Sequence, residues 1–232
     1  MHKVSVVNAK GGCGKTTLST NIAACAALRE YNAVLVDHDP FESATRWLQN
    51  RSLDLPRING VVAHSRRVQR VTQAYQMGVP KEEAFQVFDT AAGLDRDALH
   101  SIIMRSNCIV IPVLPSPIDM GVTAKFIGEL LVTGKARHYG VQLGVVANRV
   151  RSQTKMYLSL QKFLKTLNIP IIAELNDFQG YNQAAEQGVG ILELPKTGNW
   201  RREHQEWDKL MDWIVKSSVQ PRRAQNKALH AV

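Results

Sequence analysis

The sequence predicts an α/β fold: one domain built on a mostly parallel, twisted β-sheet with helices on both faces. Three observations carry that expectation. Short apolar runs, among them Val4-Ser5-Val6-Val7, Val34-Leu35-Val36 and Cys108-Ile109-Val110-Ile111, alternate along the chain with stretches of helical periodicity. Strands covered on both faces read as such continuous runs, and their alternation with helices marks parallel crossovers. Several runs end in polar residues, Asp37-His38-Asp39-Pro40, Asp89-Thr90 and Asn148-Arg149, which a parallel sheet gathers along its carboxyl edge. Between the first run and the first helical pattern lies a glycine-rich stretch, Lys10-Gly11-Gly12-Cys13-Gly14-Lys15-Thr16-Thr17.

Taken in order, residues 2–8 form the first expected strand and about 15–30 the first helix. Its Ala23, Ala24, Ala26 and Ala27 permit close packing on a sheet. Asn32-Ala33 turns the chain into Val34-Leu35-Val36, a strand that Pro40 stops, and Ser43 to Gln49 is a short helix carrying Trp47. Ile58 to Ala63 reads as a strand, and Ser65 to Met77 as a helix with Arg66, Arg67 and Arg70 on one side. Ala84 to Phe88 is a strand, Asp95 to Arg105 a helix, and Cys108 to Ile111 a strand giving way to a loop marked by Pro112, Pro115 and Pro117. A helix over Ile118 to Thr133, a strand over Val141 to Ala147, a helix over Thr154 to Leu167 and a short strand over Ile169 to Ala173 follow. The last element is a helix over roughly Trp200 to Lys216. From Lys216 to Val232 the chain has four Lys/Arg and no acid, and Pro221 breaks any helix. Residues 1–218 are therefore read as the folded domain and 219–232 as a basic, disordered tail.

Strand, glycine loop and helix in that order make a phosphate cradle. Glycines let successive N–H groups point at one anion, and the helix N-terminus adds its dipole. Lys15 would reach the β- and γ-phosphates of a nucleotide, and the Thr16 hydroxyl would sit on Mg2+. The usual spacing, G-x-x-x-x-G-K-[ST], needs glycine at position 9, where this chain has Ala9; Lys10 stands directly before the double glycine instead. Asp89 ends an apolar strand, and a carboxylate so placed holds Mg2+ through its water shell. A lone aspartate there would be read as a helix cap; the convergence with the glycine loop favours the metal. On an extended backbone Asp37 and Asp39 point the same way and His38 the other.

With Lys10 before Gly11-Gly12-Cys13-Gly14-Lys15-Thr16-Thr17, the loop resembles the deviant Walker A box of the ParA/MinD family of P-loop NTPases, a family of ATPases. The resemblance implies that Gly11 to Thr17 hold ATP, and that Lys10 reaches across an ATP-dependent homodimer to the partner's nucleotide. Asp37-His38-Asp39-Pro40 resembles the family's Walker A′ element. That implies a water-orienting role for Asp39 and support of the Mg2+ shell by Asp37, the reverse allocation remaining open. Asp89-Thr90-Ala91-Ala92-Gly93 resembles the γ-phosphate switch. Asn148-Arg149 resembles the pair whose asparagine reads the adenine edge, for which an amide that both donates and accepts is suited; a turn-forming asparagine is the competing reading. Together Lys10, Lys15, Asp37 and Asp39 are the expected catalytic set, and Thr16, Asp37 and Asp89 the expected metal set. The likeness runs from Lys10 to Asn148, thins beyond about Ile169, and favours small members: plasmid-partition ATPases without a DNA-reading domain, and relatives that distribute carboxysomes.

Composition narrows the class further. With 232 residues, 44% hydrophobic, the chain can bury a real core. No run of about eighteen apolar residues suggests a membrane-spanning helix, and Met1-His2-Lys3 leads straight into a strand, so no signal peptide is expected. Three cysteines without metal-ligand spacing predict reduced thiols in the cytoplasm. The net charge of +9 suits a polyanion partner. By resemblance that partner is nonspecific double-stranded DNA of the nucleoid, with Arg149, Arg151, Lys155, Lys162, Arg201 and Arg202 as candidate contacts, and a ParB-like or adaptor protein stimulating hydrolysis. The alternative is a MinD-like positioning ATPase on the membrane. It needs a basic amphipathic helix, whereas Arg201, Arg202, Lys209 and Lys216 are balanced by Glu203, Glu206, Asp208 and Asp212, so packing of that helix on the domain and no stable membrane association are expected. Iron–sulfur and tyrosine-kinase chemistry on the same scaffold lack the paired cysteines and the tyrosine-rich tail they require.

Overall fold

The computed structural model describes residues 1–64, 84–151, 154–166, 168–195 and 200–219. Strand β1 (His2–Val6) leads through the glycine stretch into α1 (Lys15–Leu28), then β2 (Asn32–Asp37), α2 (Ser43–Gln49) and β3 (Ile58–Val62). Next come β4 (Ala84–Asp89), α3 (Arg96–Arg105), β5 (Cys108–Val113), α4 (Pro117–Val132) and β6 (Gln142–Val150). The described chain ends with α5 (Lys155–Thr166), β7 (Ile171–Asn176), α6 (Gly180–Glu186), a 3-10 turn at Ile191–Glu193, and α7 (Trp200–Val219). The expected helix over 65–77, with Arg66, Arg67 and Arg70, and the expected tail from 220 onward lie outside the described residues.

One seven-stranded sheet runs in the order β3-β2-β4-β1-β5-β6-β7, and every pairing is parallel. Successive strand residues divide between its two faces, as the pleat requires. Cys108, Val110 and Val146 join α1 and α7 around Leu18, Ile22, Trp207, Leu210 and Ile214. Ile109, Ile111, Val113 and Val145 join α3, α4 and α5 around Ile103, Phe126, Leu130 and Leu160. Helix α1 is buried on nearly every side from Leu18 to Ala27, which explains its alanines: there is no room for larger side chains between sheet and neighbours.

The edge at β7 is closed by acids. Glu203 and Glu206 on α7 accept the backbone N–H groups of Asn176 (3.1 Å) and Glu174 (2.9 Å), so an unpaired strand edge is covered. The apolar stripe Trp207, Leu210, Met211 and Ile214 is wholly buried. It packs on the domain, as its neutral polar face predicts, and offers no surface to lipid. No helix among the described residues is long and apolar enough to cross a membrane.

Several boundaries differ from the sequence reading: β1 ends at Val6 and not at residue 8, and β7 runs Ile171–Asn176 where 169–173 was expected. Strand β5 continues through Pro112, paired with Val146. Residue Val110 faces β1, and two residues on Pro112 faces the same way, where β1 has ended and the Asn8 side chain meets the Pro112 carbonyl at 2.7 Å; the missing N–H therefore breaks no ladder bond. Strand β6 runs past Asn148 to Val150 through a register shift against β7, with Arg149 at φ +50°. Helix α7 continues beyond Lys216 to Val219, its last turn carrying buried Ser217 and Ser218, whose hydroxyl donates to Ile214.

Candidate functional site

The strand register brings the expected residues to one place. Asp37 and Asp89 are direct neighbours across β2 and β4, and Asp89 is level with Val6, the last residue of β1. That stretch leaves the sheet between β4 and β5, where the chain order reverses, the place where parallel sheets bind ligands.

Local contacts shape the loop. Asn8, which the sequence reading passed over, holds its entry: its amide donates to Pro112 and to Thr123 Oγ1 (3.0 Å), and its oxygen accepts the Lys10 N–H (3.1 Å). Gly12 and Gly14 adopt φ of +73° and +99°. At Gly14 a Cβ would also lie 2.3 Å from Asn148 Nδ2, so only glycine serves there. The Asn148 amide donates to the Cys13 carbonyl (2.8 Å) and its oxygen accepts the Arg149 N–H (3.0 Å). Asn148 thus braces the loop from β6, a contact no local sequence signal announces. The Cys13 thiol points inward to the Lys10 carbonyl (3.2 Å), and burial raises its pKa; an inert thiol results. All three cysteines are buried and none is in a disulfide.

The two lysines of the loop part company. Lys15 is buried, its ammonium resting on the Lys10 carbonyl at 3.1 Å. The Lys10 side chain is half-buried and its ammonium meets no hydrogen-bond or ion-pair partner among the described residues.

Asp89 is fully buried, its Oδ2 accepting from Thr16 Oγ1 (2.8 Å) and its Oδ1 from Ser19 Oγ (2.9 Å). Burial pushes its pKa up to about 7, the two hydroxyls pull it down, and the charges of Asp37 and Asp39 raise it again. A carboxylate disfavoured as an anion beside further carboxylates is a site for a cation. The donor set fits Mg2+: hydroxyl and carboxylate oxygens at a phosphate loop, with phosphates and water left to complete the shell. Thr16, Asp37 and Asp89 would hold it, directly or through water, and when bound it would neutralise phosphate charge.

Extended alternation does not continue through Asp37 and Asp39, a correction to the sequence reading. Strand β2 stops at Asp37, whose Oδ1 accepts the Asp39 N–H (3.0 Å) in an Asx turn, while Oδ2 accepts from both the N–H and hydroxyl of Thr45 (2.9 Å each). Asp37 is thereby buried and anchored to the first turn of α2, whereas Asp39 is half-exposed and its carboxylate accepts, among the described residues, only the Phe41 N–H (3.0 Å). His38 does face the other way. Its ring meets Arg105 (3.3 Å) and Phe88, and burial together with the Arg105 charge lowers its pKa to about 4.

The basic candidates lie on α5, α7 and the carboxyl end of β6, where Arg149 adjoins the loop-bracing Asn148. Arg149, Lys155, Lys162, Arg201 and Arg202 are exposed. Arg151 is also exposed, but Asp177 neutralises it at 2.5 Å. The charge of Arg202, at the start of α7, is felt at Tyr157 of α5.

Fold and site together define a P-loop nucleotide-binding protein. The chain belongs to the CobQ/CobB/MinD/ParA nucleotide-binding domain family, whose model matches residues 4–191, and with it to the ParA/MinD type of P-loop ATPase that uses ATP and Mg2+. It is 28% identical over 216 residues to the maintenance of carboxysome distribution protein A of Halothiobacillus neapolitanus, covering 92% of this chain and 96% of that one. It is 27% identical to the protein of the same name from Gloeobacter kilaueensis, covering 90% and 94%. Among solved structures, the ATP complex of Cyanothece McdA superposes with a TM-score of 0.68 at 17% identity, covering 97% of this chain and 99% of that one. The MinD cell division protein of Aquifex aeolicus gives 0.71 at 16%, covering 96% and 100%; these likenesses are of fold.

Proposed function

We propose that this protein is a ParA-type positioning ATPase. ATP joins two copies face to face, the dimer binds nucleoid DNA without reading its sequence, and an adaptor carried by a cargo stimulates hydrolysis and releases the dimer. The observation that carries this reading is the division of labour between Lys15, turned inward on its own loop, and Lys10, whose ammonium is unpartnered among the described residues. A second ammonium aimed at the same phosphates would be repelled by the first. Pointed outward it can meet the phosphates of a facing copy, as an arginine finger does in other phosphoryl-transfer proteins. The relatives named for carboxysome distribution make a protein-shelled body the favoured cargo, with a plasmid as the other.

Within this scheme the loop N–H groups from Gly11 to Thr17 and the Lys15 ammonium bind and orient the phosphates. Asp37, pinned by Thr45, shapes the turn that presents Asp39. Asp39, the less committed carboxylate, orients water. Asn148 ties the loop to the strand end where an adenine edge would be read. Lys155, Lys162, Arg201 and Arg202, with Arg149, offer the basic flank for DNA; Arg151 contributes less, being paired.

The test is pelleting with DNA and with anionic vesicles, with and without ATP. ATP-dependent, sequence-blind DNA binding is expected, with log affinity falling against log salt at a slope of about −0.9 per phosphate contact. Changing Arg201 and Arg202 to Glu should weaken binding on all sequences alike. Preference for one short site, or ATP-dependent binding to vesicles alone, would overturn the reading.

A further inference from the structure

We propose that Ser19 is a positioning residue for the Mg2+–nucleotide site, fixing the Asp89 carboxylate so that its other oxygen is presented to the cation. Nothing in the loop motif covers this serine, which lies one turn beyond it on α1. Thr16 and Ser19 are three residues apart and so share a face of the helix. Each gives its hydroxyl to a different oxygen of Asp89, Thr16 to Oδ2 and Ser19 to Oδ1.

A serine or threonine inside a helix ordinarily returns its proton to a carbonyl one turn back. Thr20, the next residue, does so, donating to Thr16 (3.0 Å) and Thr17 (3.1 Å). Ser19 does not. Among the described residues its hydroxyl makes one hydrogen bond, which crosses seventy residues of chain to a fully buried strand-end carboxylate, and Ser19 is itself fully buried. The terminal torsion of an aspartate is soft. Held at Oδ2 alone, by a hydroxyl whose oxygen is also wanted by the cation, the carboxylate plane could swing. A second donor on Oδ1 stops the rotation, and that donor has no other task.

The inference rests on the nucleotide-binding reading of the site and not on dimerisation or DNA. Titration of fluorescent ATP, in EDTA and across a range of Mg2+ concentrations, tests it. Ser19→Ala should bind ATP in EDTA within about twofold of wild type, yet need roughly five- to tenfold more Mg2+ for the half-maximal gain in affinity, the effect of one charge-assisted hydrogen bond. Ser19→Cys, close in volume but a weak donor, should behave like the alanine variant, and it carries the test if Ser19→Ala fails to fold. Equal losses in EDTA and in Mg2+ would make the residue a packing element and overturn the proposal, as would an unchanged Mg2+ requirement. Wild-type affinity indifferent to Mg2+ would sink the reading of the site itself, and the role of Ser19 with it.

Discussion

The two ends of the same strands are built on opposite terms. At the amino ends of β1 and β4, His2, Tyr31 and Phe85 form an aromatic trio with ring centroids 5.1–5.4 Å apart. At the carboxyl ends, about five residues along, Asp37 and Asp89 sit side by side under a loop whose lysine rests on its own backbone. Burial acts on both. On the Phe85 ring it is favourable outright; on a carboxylate it is costly, which is why the Asp89 pKa is pushed up to about 7. One edge is complete as folded, while the other is completed by a cation and phosphates. The difference teaches where to look for function in such a sheet: at the end where burial opposes the side chains present.

Mutations at the two ends should separate cleanly, and each outcome can break or sharpen the contrast. The largest effect is expected from Phe85→Ala, which removes a fully buried ring and should cost about 3–5 kcal/mol in denaturant melts. Nucleotide affinity of the folded fraction should not change; if it falls, the two ends are coupled and the contrast fails. Lys15→Ala should do the converse, weakening ATP binding on the order of a hundredfold, or about 3 kcal/mol. Stability without nucleotide should drop by no more than about 1 kcal/mol, for one lost hydrogen bond. Calorimetric titration beside thermal melts separates the two.

Lys10→Ala sharpens the contrast within the functional end. ATP affinity should stay within a few-fold of wild type, while ATP-driven dimerisation, read by light scattering, should weaken by about tenfold or more, as expected for a lost contact to phosphate. Normal dimerisation in that variant would refute the role across the interface. The smallest effect concerns pH at the amino end. Burial lowers the His2 pKa below its ordinary 6.5, and its Nδ1 has no hydrogen-bond partner among the described residues. The unfolded chain then takes up a proton below about pH 6.5 that the folded one refuses. Stability from this group is present above that pH and is lost as pH falls. His2→Phe should flatten the acid limb of the stability profile; an unchanged limb would show that the ring titrates freely when folded.

Much of the functional end was legible because its signals are local. Lys10 to Thr17, the strand-end Asp89 and the Asp37-to-Pro40 turn each declare themselves within a few residues, and the alternation of runs implies the parallel sheet that unites them. The helices expected over 43–49 and 95–105 form as well, the second starting at Arg96 behind Asp95, whose side chain caps it by accepting the Ala98 N–H at 2.8 Å. Helix α6 and the 3-10 turn were not anticipated. The turn at Ile191 closes locally, the Gly190 N–H donating to the Glu193 carboxylate at 2.6 Å, but it is placed from afar by the Asn21 side chain at 2.6 Å and a buried Arg51–Glu193 pair.

What the sequence determined by itself is therefore the fold class, the phosphate loop and the kind of chemistry, since backbone periodicity and glycine geometry are properties of neighbours in the chain. The tertiary structure alone decided how those residues are held: Asn148 against Cys13, Asn8 against Thr123, Ser19 against Asp89, and Asp37 anchored to α2 while Asp39 takes a single N–H from Phe41. Each of these depends on which polar group lies within about 3 Å after packing. For the first three that distance is set by sheet register between residues 70 or more apart, and for the Asp37–Asp39 pair by how α2 folds back on the end of β2.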